Sequence, residues 1–322
     1  MVCSGPECGL TFERAAFESS SLLVLVGAKA TLKQLKFDAC PASGECVALF
    51  VLGVYRGRAR RPLRSKVHVD GGFIRGYVQG MSVRAGAELY AKDMSIRADS
   101  EGVGVQGRGS LLELSWSYVI GGLAPVRSRA HSHRGVCFSG CAGGILKGCR
   151  FADGRLGLGV AEGADVYAER CSFSGNRGVA EQSIAAHVVG AELKLSDCNS
   201  QEDDIGFMAV GKHCQLRAKR TCVTRNRNIA GFCAFAGAAM KLQSCKTRQP
   251  AHWSVTATGA LPRHPQPRSK KPPWVPPGRF GSSMRKDVVI DKKCDFGGHA
   301  MFLWRRELHR LLVGEVGELG RV

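Results

Sequence analysis

Apolar and small residues recur along this chain in a fixed frame. Residues 160–173 read Val-Ala-Glu-Gly-Ala-Asp-Val-Tyr-Ala-Glu-Arg-Cys-Ser-Phe, and the same frame returns at 83–96, 188–198 and 235–245. The template is Gly-Ala, an aliphatic residue three after the Gly, another two later, and a Cys or apolar residue five after the first aliphatic. The first aliphatic positions are Leu89, Leu112, Val166, Leu193, Leu216 and Met240, with Gly144 in that place in a weaker copy. Their steps are 23, 32, 22, 27, 23 and 24 residues, and a fainter copy at Leu32 lies 57 residues before Leu89. A repeat of this period fixes the architecture before any other feature does.

Five residues after each anchor stand Phe37, Met94, Ser117, Cys149, Cys171, Cys198, Thr221 and Cys245. Five further on stand Asp99, Gly122, Gly154, Asn176, Asp203 and Asn226. Asn, Asp and Gly tolerate left-handed backbone, so this column predicts a turn at a fixed place. Between that turn and the next Gly lie alternating runs at 154–160, 204–210 and 229–235, the pattern of strands. Each repeat is then strand, turn, strand and Gly turn, too short for a helical crossover. Such units stack strand on strand at about 4.8 Å as a parallel β-helix. The Leu-x-x-Leu-x-Leu frame of leucine-rich repeats is absent, and a propeller blade needs about forty residues. The prediction is an all-β chain, a right-handed parallel β-helix solenoid of about eight to nine coils.

This register resembles the right-handed parallel β-helix superfamily, the pectate-lyase-like fold, over residues 20 to 247. Its members include pectate lyases, polygalacturonases, alginate epimerases and the non-catalytic β-helix domains of some F-box and carbohydrate-binding proteins. The resemblance implies the fold and singles out no one family. It is closest in character to the non-catalytic β-helix repeat domains.

Outside the coil, the apolar and charged positions of residues 10–17 predict a short amphipathic helix, making 1–19 an N-terminal cap over an open solenoid end. Eight prolines between 250 and 277, with Lys and Arg among them, predict that 248–299 is a basic linker without a core of its own, within a largely disordered C-terminal tail. Residues 300–313 have the pattern of a short amphipathic helix, followed by a tail to 322.

Charge refines this picture. Of the formal net charge of +19, residues 246–322 carry +9, residues 56–66 carry +6 and residues 127–134 carry +3, which leaves the rest almost neutral. The two shorter clusters fall in long intervals between repeats and predict inserted basic loops. Arg56, Arg58, Arg60, Arg61, Arg64 and Lys66 form the candidate polyanion-binding set, suited to an acidic polysaccharide or to non-specific nucleic acid. No run of eighteen apolar residues exists and the first residues lack the form of a signal peptide, so the expectation is an intracellular, cytoplasmic monomer with no membrane span. The 14 cysteines include the column named above, expected as reduced core residues, and their spacings do not give paired zinc knuckles, so no metal is expected.

Two functions from different classes follow. The first is a non-catalytic scaffold for a protein or an acidic polysaccharide, with no cofactor. The alternative is a polysaccharide lyase, hydrolase or epimerase working in a groove along one sheet, with calcium as the cofactor such chemistry would add. Its candidate residues are Lys219, His187 and Asp203, with Arg217 and His213 nearby; Glu202, Asp203 and Asp204 are the one adjacent acidic cluster in the coil. Neither a carboxylate cluster nor an Arg/Lys–carboxylate pair on one sheet over consecutive coils is evident in the sequence, which favours the scaffold.

Overall fold

A computed structural model describes residues 1–39, 47–54, 63–121, 133–176, 183–225, 230–248, 253–257, 288–291 and 293–296. Among the described residues its 27 strands pair in parallel, each inner strand with the one a turn before and the one a turn after. The result is a parallel β-solenoid with three faces and no helix among the described residues. About nine turns fill the span of the sequence repeat, and a further rung stands at either end.

The first face starts from Gly9–Glu13 and runs through Leu111–Ser115, Gly143–Lys147, Asp165–Glu169, Glu192–Ser196, Gln215–Lys219 and Ala239–Gln243. Its inner column is the repeat anchor itself: Leu89 pairs Leu112, then come Gly144, Val166, Leu193, Leu216 and Met240 in unbroken register. The second face carries short strands such as Arg150–Ala152 and Ser172–Ser174. Its inner column includes Phe151 and Phe173, whose rings stack at 4.9 Å. The third face holds Val47–Leu52, Arg134–Ser139, Leu156–Ala161, Ile184–Val189, Ile205–Val210 and Ala230–Phe235. Two long strands, Lys66–Arg84 and Glu88–Gln106, run across all three faces.

Most corners use a left-handed residue followed by a buried, mostly small or polar one. Between the third and first faces this is the Gly-Ala signature: Gly86, Gly163 and Gly237 have φ of 83°, 76° and 85°, and Ala87, Ala164 and Ala238 after them are buried. Between the first and second faces the left-handed residues are Asp93, Trp116, Gly148, Arg170, Asp197, Arg220 and Ser244. The next residue in each case is the cysteine column, Met94, Ser117, Cys149, Cys171, Cys198, Thr221 and Cys245, and all seven are buried. The thiols do more than fill space. Cys149 donates to the Leu114 carbonyl at 3.2 Å, Cys198 to that of Ala168 at 3.4 Å and Cys245 to that of Ala218 at 3.3 Å. Hydrogen bonds with Cys149 and Cys198, together with burial, push the Cys171 thiol well up, so it stays protonated.

Several sequence expectations shift. Asp99, Gly154, Asn176 and Asp203, the described members of the Asn/Asp/Gly column, do not themselves adopt the left-handed turn. Asp153, Gly175, Glu202 and Arg225 do, one residue earlier. Asn176 and Asp203 instead turn inward and bond along the stack: Asn176 Oδ1 accepts from the Gly154 amide, and Asp203 Oδ1 accepts from the Asn176 amide and Nδ2. Asp99 lies within a strand. Leu32 is two residues out of register, because Ala30 pairs Val67, and Val67 in turn pairs Leu89. The expected helix near residues 10–17 is absent. Val2–Ser4, Gly9–Glu13 and Ala16–Glu18 are strands that form the first rung, since Leu10, Phe12 and Phe17 pack on the core at strand spacing. Cys3 and Cys8 are bridged by a disulfide within that rung. The repeat also continues past Cys245, through Trp253–Ala257, Val288–Ile290 and the bridge from Lys246 to Asp295. The basic loop positions 56–62 and 127–132, the rest of 248–299 and all of 300–322 lie almost wholly outside the described residues.

Gly144, the weak copy of the anchor, has a packing reason. A Cβ there would meet the Phe138 ring, so the large inward ring of one face fills the space that the anchor leaves. Gly144→Val alone should cost about 1–3 kcal/mol by overpacking, and Phe138→Val alone about 2–4 kcal/mol through the cavity. The double variant should recover part of both losses in urea unfolding, because Val160 over Val166 already realises that pairing one coil later.

Candidate functional site

The sequence-derived candidates do not converge. Lys219 points outward from the first face, His187 outward from the third, and Asp203 is fully buried at the corner between the second and third. Asp203 accepts from Asn176 as described and from Ser200 Oγ at 2.6 Å. Burial pushes its carboxyl up to about 6, against the pull of those hydrogen bonds. Asp204, also buried, accepts from the Ser183 amide at 2.9 Å and from Ser183 Oγ at 3.1 Å. Both acids knit rungs together. Arg217 pairs with Glu192 at 3.3 Å on the first face, and His213 is exposed at a corner. Of the six basic loop residues, two are described. Arg64 pairs with Glu88 at 2.6 Å, and Lys66 stands 4.8 Å above the Tyr90 ring.

A different site stands on the outer surface of the third face. Parallel register places three outward rows side by side. The middle row is Phe50, Ser82, Gly104, Cys137, Gly159, His187 and Met208, one residue per coil. From Ser82 to Gly159 this row is small, so it forms the floor of a groove. One bank is Gln79, Glu101, Arg134 and Leu156, and the other is Arg84, Gln106, Ser139, Ala161 and Val189. The cavity measures about 350 Å³ and is lined by residues of all three rows. That lies within the range of ordinary ligand sites.

The floor glycines have a steric reason. A Cβ on Gly104 would collide with Gln79 Nε2 and Glu101 Oε2, which hydrogen-bond to each other at 2.5 Å across it. A Cβ on Gly159 would press on Cys137 Sγ. Arg134 sits beside Glu101 in register on the next coil. Arg84 bonds Ser82 Oγ at 3.1 Å and lies 5.6 Å from the Phe50 ring. Burial, then the neighbouring Glu101 charge, push the Cys137 thiol well up, so this cysteine is a neutral thiol and not a ready nucleophile.

His187 ends the floor. It is 5% exposed, and its Nε2 has no hydrogen-bond partner among the described residues. Burial, with a smaller push from Arg155, lowers its imidazole to about 4, so the ring is neutral near pH 7. Beyond it the outer rows become apolar: Ile184, Ile205, Met208, Cys233 and Phe235 are all buried. Among the described residues no group of three or more His, Cys, Asp or Glu is placed to hold a metal ion.

Of the residues singled out from sequence, only His187 belongs to this groove. Gln79, Arg84, Glu101, Arg134 and Cys137 were missed because they are far apart in the chain and lack a motif. The usable signal was positional: the floor residues fall three or four places before the left-handed corner glycine of each coil, as Ser82 does before Gly86 and Cys137 before Gly140.

No protein-family model matches the chain, and no curated protein matches it in sequence. Among solved structures, it is similar to an alginate lyase from Paenibacillus sp. str. FPU-7, with a TM-score of 0.51 and 10% identity over 90% of this chain and 99% of that one. It also matches the A-module of the mannuronan C-5 epimerase AlgE6 from Azotobacter vinelandii, with a TM-score of 0.45 and 10% identity over 87% of this chain and 80% of that one. What is shared is the parallel β-helix fold. The β-helix expected from the repeat is therefore present in the strand register and in the fold shared with the alginate lyase.

The two buried titrating groups give opposite pH signatures. Below pH 6.5 the unfolded chain protonates His187 before the folded one does, so stability falls as pH drops from 6.5 towards 4, by about 3 kcal/mol in all. Asp203 holds its proton longer when folded, so its contribution is lost as pH rises from 3.8 to about 6. Asp203→Asn should keep the ladder and abolish that second dependence. Asp203→Ala should cost about 1–3 kcal/mol at any pH by leaving Asn176 unsatisfied, as read by denaturant midpoints across pH 4–8.

Proposed function

We propose that the groove on the third face binds an acidic polysaccharide and cleaves it by β-elimination. The observation that carries this reading is that two arginines, a carboxylate and a neutral imidazole whose Nε2 has no hydrogen-bond partner among the described residues line one groove with a small-residue floor. The scaffold reading follows from a sequence with no evident arginine–carboxylate pair over consecutive coils, and the register brings Glu101 and Arg134 side by side on the groove's bank. The shared fold of an alginate lyase adds support in the same direction.

The chemistry follows from the groups. The proton removed in a lyase reaction lies on the carbon next to a carboxylate, where negative charge builds as it leaves. Arg134, two coils from His187, pairs with that carboxylate and draws off the charge, which favours enolate formation, while Arg84, two coils further along, binds a second carboxylate of the same sugar chain. His187 turns its Nε2, buried in the resting protein, to the groove and accepts the C5 proton; the electron pair forms the C4–C5 double bond as the C4–O bond to the neighbouring sugar breaks, and the leaving oxygen takes a proton from the imidazolium. An arriving uronate anion near the ring favours the imidazolium and so raises its basicity above that of the resting protein. Glu101, held by Gln79, sits in register beside Arg134. Calcium, expected only for enzymes of the alternative class, has no assigned role in this scheme.

The test is incubation of the full chain with polymannuronate, polyguluronate and polygalacturonate, following the ultraviolet absorbance of the unsaturated uronate product. His187→Ala should lower the rate by about 10²–10⁴-fold, the range for loss of a general base. Arg134→Ala should raise KM and lower kcat together, whereas Lys219→Ala should leave both unchanged. Binding with no unsaturated product would remove the elimination step and leave a binding protein. Absence of binding to all three polymers would end the reading.

A further inference from the structure

The groove has two ends. Its floor of small residues covers four successive coils, at Ser82, Gly104, Cys137 and Gly159. One coil before Ser82 the same row holds Phe50, half-buried and in contact with the Arg84 guanidinium. One coil after Gly159 it holds His187, and beyond that Met208 and Cys233 in the buried apolar cluster. The banks change with the floor. Polar side chains at Gln79, Glu101 and Arg134 give way to Leu156, Ile184 and Ile205. A sugar chain therefore meets a ring at each end of the trough, and hydroxyl-binding groups only between them.

Coils repeat at about 4.8 Å, close to the roughly 5 Å advance of a 1,4-linked pyranose, so one sugar spans one coil along the axis. Arg84 and Arg134 stand on opposite banks and two coils apart.

We infer that the groove accommodates about four uronate residues and is closed at both ends, so that this chain acts on oligouronates or chain ends and not on the interior of long polymers. The inference rests on the reading of the groove as a polyuronate site. It concerns length, which that reading leaves open. Phe50 and His187 set the limit, His187 from the catalytic end and Phe50 from the far end.

Calorimetric titration with size-defined oligouronates, from two to six residues, tests it. Affinity should rise with each sugar up to four and then level, with less than about a twofold gain from four to six. Phe50→Ala, checked for an unchanged thermal midpoint, should shift the plateau to five. Affinity that keeps rising to six in the parent chain would overturn the length limit while leaving the polyuronate reading standing. A plateau at four that Phe50→Ala does not move would overturn the role of Phe50 as the end wall. No binding at any length would overturn both the length limit and the reading beneath it.

Discussion

A parallel solenoid depends on one constraint: each residue must fit the residue directly above and below it, about 4.8 Å away, on every turn. Inter-coil hydrogen bonds hold that spacing, so any side chain that will not stack breaks the register for its neighbours. The chain satisfies the constraint with columns. Aliphatic residues stack behind the first face, phenylalanines behind the second, and Ala, Ser or Cys at the corners. Where a column changes size, a neighbour compensates, as Phe138 does for Gly144. The corner cysteines suit this role because a thiol is small enough to stack and still donates to a carbonyl that the bend leaves open.

The same constraint builds the groove. Parallel register converts residues about 22 to 33 positions apart into immediate neighbours, so Glu101 and Arg134 meet without any local motif. The small middle row of the third face arises from two demands met together. Gly104 makes room for the Gln79–Glu101 hydrogen bond, and Gly159 makes room for Cys137. His187 then stands where the small row ends, buried enough to stay neutral and without a hydrogen-bond partner among the described residues.

The fold was legible because its columns are repeated: the anchors from Leu89 to Met240 fall in the observed register one for one. Legibility failed where repetition did. Leu32 was misplaced because Val67, on the coil between it and Leu89, follows no Gly-Ala signature. Residues 10–17, strands of the first rung, have the pattern of a helix in sequence because they are too few to separate a bent strand from a helical turn. The Asn/Asp/Gly column was assigned to left-handed backbone, yet Asn176 and Asp203 serve through their side chains, and composition alone does not separate those uses. The site was the least legible. Its residues occupy outward positions, where hydrophobic patterning carries no information, and their proximity follows only from the register. Asp203 drew notice as an acid, and its burial in the ladder shows a structural duty.

The central claim is that polyuronate binds on the third face. Arginine-directed dicarbonyl labelling of the full chain, mapped by mass spectrometry with and without a saturating oligouronate, addresses it most directly. The account predicts that Arg84 and Arg134 are shielded while Arg217 on the first face and Arg220 at its corner label equally in both samples. Shielding of Arg217 with Arg84 and Arg134 still reactive would contradict it and place the ligand on another face.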